Sequence, residues 1–538
     1  MKKIVNVKND CRNMFTEEII QTILESRGIK DSEHFLNPTE EDMLPLDALY
    51  RIDEAAQIVI DGLTSGKTFC ILADNDQDGC GATAIIVRYL KSLGIKPQWI
   101  SNKGKIHGCN KDIVTKIKTM MPDIFIIVDS LDGTIDYYKE ISELGIKIII
   151  LDHHDINPKI ESEYDKYAVL VSSNRRYANS ELSGAGVCLK FALYMDSLLG
   201  MVEAENLYDL GCCGILADVM DVGEEHMENR YIIKRGLDNP VNPFIKKVIG
   251  SYQFDSQTVL FSIAPLINSA MRFNQSESAI EAMLADDNKE VLKHLKVLKG
   301  CKERQAEEIA KLLPDLIEQA EHQKDNKLLF CVVETDNGIS GLLATKLCDM
   351  YKKQAIVVKE TNTGYVGSLR GMGVDLRAIC ESTECGEFKG HPQAAGVSIP
   401  YYKYDEFREK IEDLLSNIEI KQEIEVDIEL EIGDISKDLV EKIKAMCRIS
   451  GNGFKPIRGL IKVDTYEAST MSQGKHLVVN PNTWFKFIKW NSGESMLEEM
   501  EDHAMFGDEL AFVGSLDMGY LGRDFSIRMI VDDIIETN

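Results

Sequence analysis

Positive charge is what this chain has least of: 61 Lys and Arg stand against 88 Asp and Glu, a formal net charge of -27. Such a field repels a polyanion, which excludes broad, indiscriminate coating of nucleic acid and leaves local basic patches as points of contact. Two stretches are basic against this background, Lys96 to Lys118 and Lys289 to Arg304; the second has helical spacing and reads as a solvated face. A paired-cysteine framework is also missing. The 13 cysteines form an odd set without a C-x-x-C spacing, and Cys70, Cys188, Cys331 and Cys348 lie inside apolar runs, as reduced core thiols do. No apolar stretch approaches the roughly 18 residues of a membrane span, and Met1 to Asp10 lacks the apolar segment of a secretory leader, so the expectation is a cytoplasmic protein. Internal repeats and low-complexity tracts are absent. The 538 residues, 44% of them hydrophobic, suffice for packed cores in roughly three to four domains.

What is present is carboxylate at the ends of apolar runs. Thr68 to Gly79 stops on Asp74, Asp76 and Asp78. Alternate residues of an extended chain share a side, so this trio repels itself unless a cation sits among its oxygens. A second run, Ile124 to Val128, ends on Asp129, and a third, Ile146 to Leu151, ends on Asp152-His153-His154. Three strand-like runs delivering carboxylate and imidazole point to one metal site. A calcium loop is the competing reading of Asp74 to Gly79, and it fails at the twelfth position, which needs a bidentate Glu and holds Ile85. His107, His226 and His294 read as surface or structural residues.

From residue 53 to about 240, runs at 68–73, 124–128, 146–151 and 168–171 alternate with helical patterns such as Gly81 to Leu93 and Val187 to Leu199, the signature of a parallel sheet covered by helices. Ligands collect at the carboxyl ends of such strands, where Asp74, Asp129 and Asp152 fall. Residues 276–322 carry helix formers and predict a connector, kinked or restarted at Pro314. A second α/β block runs from Lys327 to about Asn417, with strands at Leu328 to Val333 and Ala355 to Val358 and a Gly-rich end at Gly390 to Gly396. Beyond Ile418, short alternating runs (Arg458 to Val463, His476 to Val479, Trp484 to Trp490, Glu509 to Val513, Ser526 to Val531) predict a small barrel. Trp484, Phe485, Phe487 and Trp490 offer stacking rings, about half of which strand alternation sends into the core.

Taken in order, Asp74 to Gly79, Val128-Asp129, Asp152-His153-His154, Ser183 to Val187, Ala217-Asp218-Val219 with Asn229-Arg230, Pro265 to Asn268 with Arg272, Asn337-Gly338-Ile339, Ser368-Leu369-Arg370 and Gly390 to Gly396 form a series of motifs. This series resembles the RecJ-type single-strand-specific exonucleases of the DHH phosphoesterase superfamily; so many motifs in register over about 320 residues are specific where a lone DHH is not. The resemblance implies an α/β protein: a parallel-sheet DHH catalytic domain at 1–275, a helical connector at 276–322, an α/β DHH-associated, substrate-binding domain at 323–420, and an OB-like nucleic-acid-binding β-barrel at 421–538. It further implies that Asp74, Asp76, Asp129, His153 and Asp218 coordinate two divalent ions, with Asp78, Asp152 and His154 among or against the ligands. Hard carboxylates mixed with imidazole suit manganese, with magnesium as the alternative. His154, Asp152 and His391 are the catalytic candidates, and Lys103, Arg272, Ser368, Arg370, Gly390 and His391 the substrate-binding ones.

The implied activity is 5′-to-3′ hydrolysis of single-stranded DNA to mononucleotides in repair or recombination, by a monomer recruited by a single-strand-binding protein or a helicase. The alternatives are a phosphodiesterase of short oligonucleotides or cyclic dinucleotides, for which a strand-tracking barrel is superfluous, and a non-catalytic DNA-binding scaffold, which would be expected to have lost ligands. The chain departs from the family at several points. Lys103 stands where a phosphate-binding Arg is usual, which removes a bidentate fork, Ser172-Ser173-Asn174-Arg175 replaces an Asn-Pro, Phe388-Lys389 precede Gly390-His391 in place of glycines, and the turn Arg448 to Gly453 lacks its Pro-Phe.

Overall fold

Strand β1 (Lys3–Asp10) opens a sheet whose other strands come from the last quarter of the sequence. The computed structural model describes residues 3–102, 107–131, 134–335, 338–418, 422–521 and 524–537. It divides into a larger unit, Val7–Leu298 with Val426–Asn538, and a smaller one, Met1–Asn6 with Lys299–Glu425.

Five parallel strands organise the first part of the larger unit: β2 (Phe69–Ala73), β3 (Gln98–Ser101), β4 (Ile124–Val128), β5 (Lys147–Asp152) and β6 (Val169–Ser172), in the order β3-β2-β4-β5-β6. Every residue of β2 and β4 is buried, which is why these runs are continuously apolar rather than alternating. Cys70, Leu72, Phe125, Ile127, Ile148 and Ile150 turn to one face, against the helices Lys111–Met120 and Ile135–Ser142. On the other face lie helices Gln77–Ser92 and Gly184–Leu199. The strand order reverses between β2 and β4, so their carboxyl ends flank the crevice where such sheets bind ligands. Sequence pattern starts the first of these helices at Gly81; it starts at Gln77 because the Asp76 carboxylate caps it, accepting from Gly79 N at 2.8 Å. Strand β3, half-exposed at the sheet edge, carries too weak a pattern to be read from the sequence.

In the smaller unit β7 (Leu328–Val332), β8 (Gln354–Glu360), β9 (Gly364–Arg370), β10 (Glu387–His391) and β11 (Ala394–Pro400) pair in the order β10-β11-β9-β8-β7, parallel only between β7 and β8. Two apolar layers cover the faces of this sheet, one including Phe407, Ile411 and Leu415 and the other Leu316, Leu343 and Leu347. Residues 276–322 form two helices, Ser276–Leu284 and Asn288–Glu321, and the second continues through Pro314 without a restart.

The C-terminal strands are β12 (Gln422–Leu430), β13 (Gly459–Val463), β14 (Glu467–Met471), β15 (His476–Asn480), β16 (Phe485–Lys489), β17 (Leu510–Leu521) and β18 (Asp524–Glu536). With β1 they make an eight-stranded sheet ordered β1-β12-β13-β17-β18-β16-β15-β14, and among the described residues no pairing joins the two ends. The expected barrel is therefore an open sheet: alternating short strands announce a sheet, while closure depends on a stagger that local pattern does not encode. Phe485 and Phe487 enter its core, and Trp484 and Trp490 stay about two-fifths exposed.

A buried ion pair fastens the N-terminal segment to the first sheet's helices. Lys190 Nζ lies 2.7 Å from Glu228 Oε1 and donates to Leu44 O at 2.6 Å, while Tyr177 Oη and Asn179 Nδ2 donate to Glu228. Removing one partner strands the other charge away from water. Lys190→Met should therefore cost about 3–5 kcal/mol in denaturant unfolding, and Lys190→Met with Glu228→Gln should recover most of it.

Candidate metal centre

The carboxyl ends of β2, β4 and β5 deliver Asp74, Asp129 and Asp152 to one place, and the first turn after β2 adds Asp76 and Asp78. Asp74 is held by Ser130 Oγ at 2.8 Å. Asp78 Oδ1 accepts from Ser183 Oγ at 2.8 Å and Ala185 N at 3.1 Å, at the start of helix Gly184–Leu199. Asp129 turns inward at a left-handed φ of 53°. His153 Nε2 reaches Asp129 Oδ1 at 3.2 Å, Asp218 Oδ2 at 3.4 Å and Asp78 Oδ2 at 3.9 Å. Three donor groups result, each with its ligand atoms within 4.8 Å: Asp74, Asp76 and Asp129; Asp78, His153 and Asp218; Asp129, His153 and His154. Asp129 and His153 are each shared between two of them.

Asp152 has a different surrounding. Its Oδ1 accepts from His153 N and His154 N at 2.6 Å and from His154 Nδ1 at 2.9 Å, and its Oδ2 from Leu131 N at 2.7 Å. Its lone pairs are committed to shaping the turn and orienting His154, whose ring is half-exposed.

Packing around the carboxylates leaves no room for a methyl group. A Cβ at Gly79 would stand 2.5 Å from Asp74 Cβ, one at Gly184 2.4 Å from Asp129 Oδ1, and one at Gly214 2.1 Å from Asp78 Oδ1. Burial and mutual repulsion disturb the acids accordingly. Burial, then the charges of Asp74 and Asp78, pushes Asp76 up to about 7; burial, then Asp78 and Asp76, pushes Asp218 up to about 8. Asp129 is raised well above the carboxylate range, by burial first and then by Asp78, Asp76 and Asp74. Burial works to raise Asp152 and lower His154, but their mutual hydrogen bond outweighs it, holding Asp152 below the carboxylate range and lifting His154 to about 9.

This donor set fits divalent cations. Asp78 Oδ2 and Asp129 Oδ1 are buried without a hydrogen bond among the described residues, and both lie near His153 Nε2. Buried acceptors facing an imidazole, amid further carboxylates, are the arrangement that a cation satisfies and water-excluding packing alone does not.

The remaining candidates are more dispersed. Lys103 and Asn337 lie outside the described residues, and Arg272 is half-buried in the last turn of helix Ala264–Arg272. Ser368 and Arg370 sit on β9, and Gly390 and His391 on β10, in the smaller unit. Through β11 the registers Arg370↔Ala394 and His391↔Ala394 put Arg370 and His391 in one row, and Ser340 Oγ lies 3.1 Å from Ser368 Oγ. A Cβ at Gly341 would stand 2.6 Å from an Arg370 Nη, so glycine leaves that guanidinium its place. Two residues of the larger unit were missed. Sequence reads His107 as a surface or structural residue; it is exposed, and its Nδ1 lies 2.8 Å from Asp74 Oδ2, a contact that no spacing rule connects across the intervening helix Gln77–Ser92 and strand β3. Gly214, a helix-interior glycine within a run of small residues, becomes informative only once it is seen against Asp78. His226 and His294 fall where sequence puts them, beside Asn179 and Glu290.

Comparison with known proteins matches the DHH family, N-terminal domain, to residues 68–215 and the DHHA1 domain to residues 325–417. A protein of Bacillus phage SPbeta, provisionally named single-strand DNA-specific exonuclease YorK, is 26% identical over 91% of each chain. The single-stranded-DNA-specific exonuclease RecJ of Bacillus subtilis is 24% identical, covering 98% of this chain and 69% of its own. The crystal structure of Thermus thermophilus RecJ in complex with Mn2+, 21% identical, covers 97% of this chain and 76% of that one with a TM-score of 0.76.

Clustered carboxylates that repel one another should be stabilised by any cation they bind. Manganese at about a hundred times its Kd should add about 2.7 kcal/mol to stability and raise Tm, and Asp129→Asn should remove that increment. Calorimetric scans with and without the metal measure both.

Proposed function

The chain belongs to the DHH family, carrying a DHH domain and a DHHA1 domain, and is similar to RecJ exonucleases, and on that premise we propose that it is a divalent-metal-dependent exonuclease degrading single-stranded DNA from the 5′ end to mononucleotides. The observation that carries this reading is the sharing of Asp129 and His153 between donor groups, with Asp74 and Asp76 to one side and Asp78 and Asp218 to the other. A shared carboxylate and imidazole between two acidic clusters support two ions rather than one, manganese by the mixture of donors and magnesium as the alternative. When bound, such ions supply Lewis acidity that acidifies water and neutralises charge on the phosphate.

The protein groups do the positioning. Asp152 fixes the ring of His154 through Nδ1, leaving the half-exposed imidazole free to meet an anionic phosphate oxygen. In the smaller unit Arg370, Ser368, the Gly390 backbone and His391 are the proposed grip on phosphate, Arg370 carrying most of it through its planar fork. Trp484 and Trp490, exposed on the C-terminal sheet, are candidates for base stacking in a nucleic-acid-binding region at 421–538. Domains at 1–275 and 323–420, joined by 276–322, would divide hydrolysis from substrate binding, in a cytoplasmic monomer serving repair or recombination that a single-strand-binding protein or helicase recruits.

One assay tests the reading: end-labelled DNA and RNA strands of about thirty and of two nucleotides, incubated with manganese, with product length and polarity read out. Mononucleotides from the 5′ end of long DNA are expected; activity confined to dinucleotides would make the chain a small-substrate phosphodiesterase instead. Asp129→Ala should abolish hydrolysis while preserving the fold, and retained manganese-dependent activity in that variant refutes the site. Arg370→Ala should weaken use of 5′-phosphorylated strands by about 1.5–3 kcal/mol relative to 5′-hydroxyl strands. Equal slowing of both substrates would show that Arg370 does not read the terminal phosphate.

A further inference from the structure

The glycine-bearing turn ahead of β13 lies against the segment that follows Asp218. The turn closes through Gly451 N donating to Phe454 O at 2.9 Å. Val222 N donates to Asn452 O at 2.9 Å, and Asp221 and Asn452 form an isolated parallel bridge. Gly453 has a φ of +76°, and a Cβ there would stand 2.1 Å from Asp221 Oδ1, the oxygen that accepts from Gly223 N at 2.6 Å. Only glycine allows the turn to approach so closely.

Asp221 is three residues from Asp218, and between them Val219 is held at a φ of 60°, a costly conformation for a β-branched residue. Such strain persists only where the surroundings over-determine the backbone. Here they do: Asn229 Nδ2 donates to Asp221 O at 2.9 Å, Asp221 N donates to Glu181 Oε2 at 3.2 Å, and Asn452 closes the other side. The turn is itself anchored. Arg230, buried and with no carboxylate partner among the described residues, donates to Val222 O at 2.9 Å and Phe35 O at 3.0 Å and lies over the Phe35 ring, which packs on Phe454 at 4.9 Å. Ser256 N donates to Arg448 O, and Ser450 N to Ser256 Oγ, each at 3.0 Å.

We propose that Asn452 and Gly453 are positioning residues of the metal centre, holding the 218–223 segment so that Asp218 meets His153. The C-terminal region is then part of the machinery that binds metal, in addition to any role in binding a strand. This inference rests on reading Asp218 as a metal ligand, and its test separates the two claims.

Manganese binding to the full chain, followed by calorimetry and by the EPR signal of the free ion, is compared for the wild type, Asp129→Ala, Gly453→Ala, Asp221→Ala, the Asp221→Ala/Gly453→Ala pair, and Gly433→Ala, where a Cβ meets nothing within 4 Å. Gly453→Ala should weaken binding about 10–100-fold, the range for partners that orient ligands without touching the metal, and Asp221→Ala should fall at the lower end. The double variant should recover part of the loss toward the Asp221→Ala level, because the carboxylate that the new methyl strikes is gone while the left-handed φ at 453 still strains an alanine. Gly433→Ala should bind as the wild type does. Wild-type affinity in Gly453→Ala, or in Asp221→Ala should the glycine variant not fold, overturns the proposal; so does a loss in Gly453→Ala that the double variant does not relieve. Wild-type binding indifferent to Asp129→Ala overturns the site reading, and the positioning role with it.

Discussion

Carboxylates taken out of water are the constraint on which the larger unit is built. Six aspartates, Asp74, Asp78, Asp129 and Asp152 almost fully buried and Asp76 and Asp218 less so, would not share one crevice unless something opposed their repulsion and restored their lost hydration; Asp152 has that need met by the N–H groups of His153, His154 and Leu131 and by the His154 ring. The parallel sheet makes the convergence unavoidable, because every strand runs the same way and the reversal of order between β2 and β4 opens the crevice at their carboxyl ends. Two helix starts, capped by Asp76 and Ser183, bring N–H groups to the same place. Glycines at 79, 184 and 214 let backbone and helix close on the acids at distances no side chain would permit.

The smaller unit works on a different principle. Its antiparallel β9, β11 and β10 set Arg370 and Ser368 on one side of β11 and Gly390 and His391 on the other, where register rather than burial decides which groups line up. On the proposed function, cationic and hydroxyl groups so arranged would matter more in a chain of net charge -27 than in a basic one, since each phosphate contact would have to overcome the field of the whole.

Between the C-terminal region and the first sheet there is no clean cut within the larger unit. Strand β1 joins the C-terminal sheet from the other end of the sequence, and Arg230 is buried between Phe35 and the Phe454 turn. A chain ending near residue 424 would thus expose a buried guanidinium and lose the backbone partner of Val222, losing stability as well as any strand-tracking surface.

The parallel strands and their acidic ends are legible in the amino-acid order. Unbroken runs such as Ile124 to Val128 are apolar because both faces are covered, and a carboxylate following each run needs no tertiary information to be noticed. The same order also announced, through its motifs, the family and the candidates Asp74 to Asp218. The rest follows from long-range packing. The edge strand β3, half-exposed and four residues long, has no pattern strong enough to declare itself. Whether short C-terminal strands close or stay open depends on pairing between residues hundreds of positions apart, and β1 supplied a strand that no local reading could assign. His107 on Asp74, Gly214 against Asp78 and Gly453 against Asp221 are contacts whose partners share no periodicity. Local pattern records what a residue must avoid, water or its own neighbours; which distant group it meets is settled only when the chain has packed.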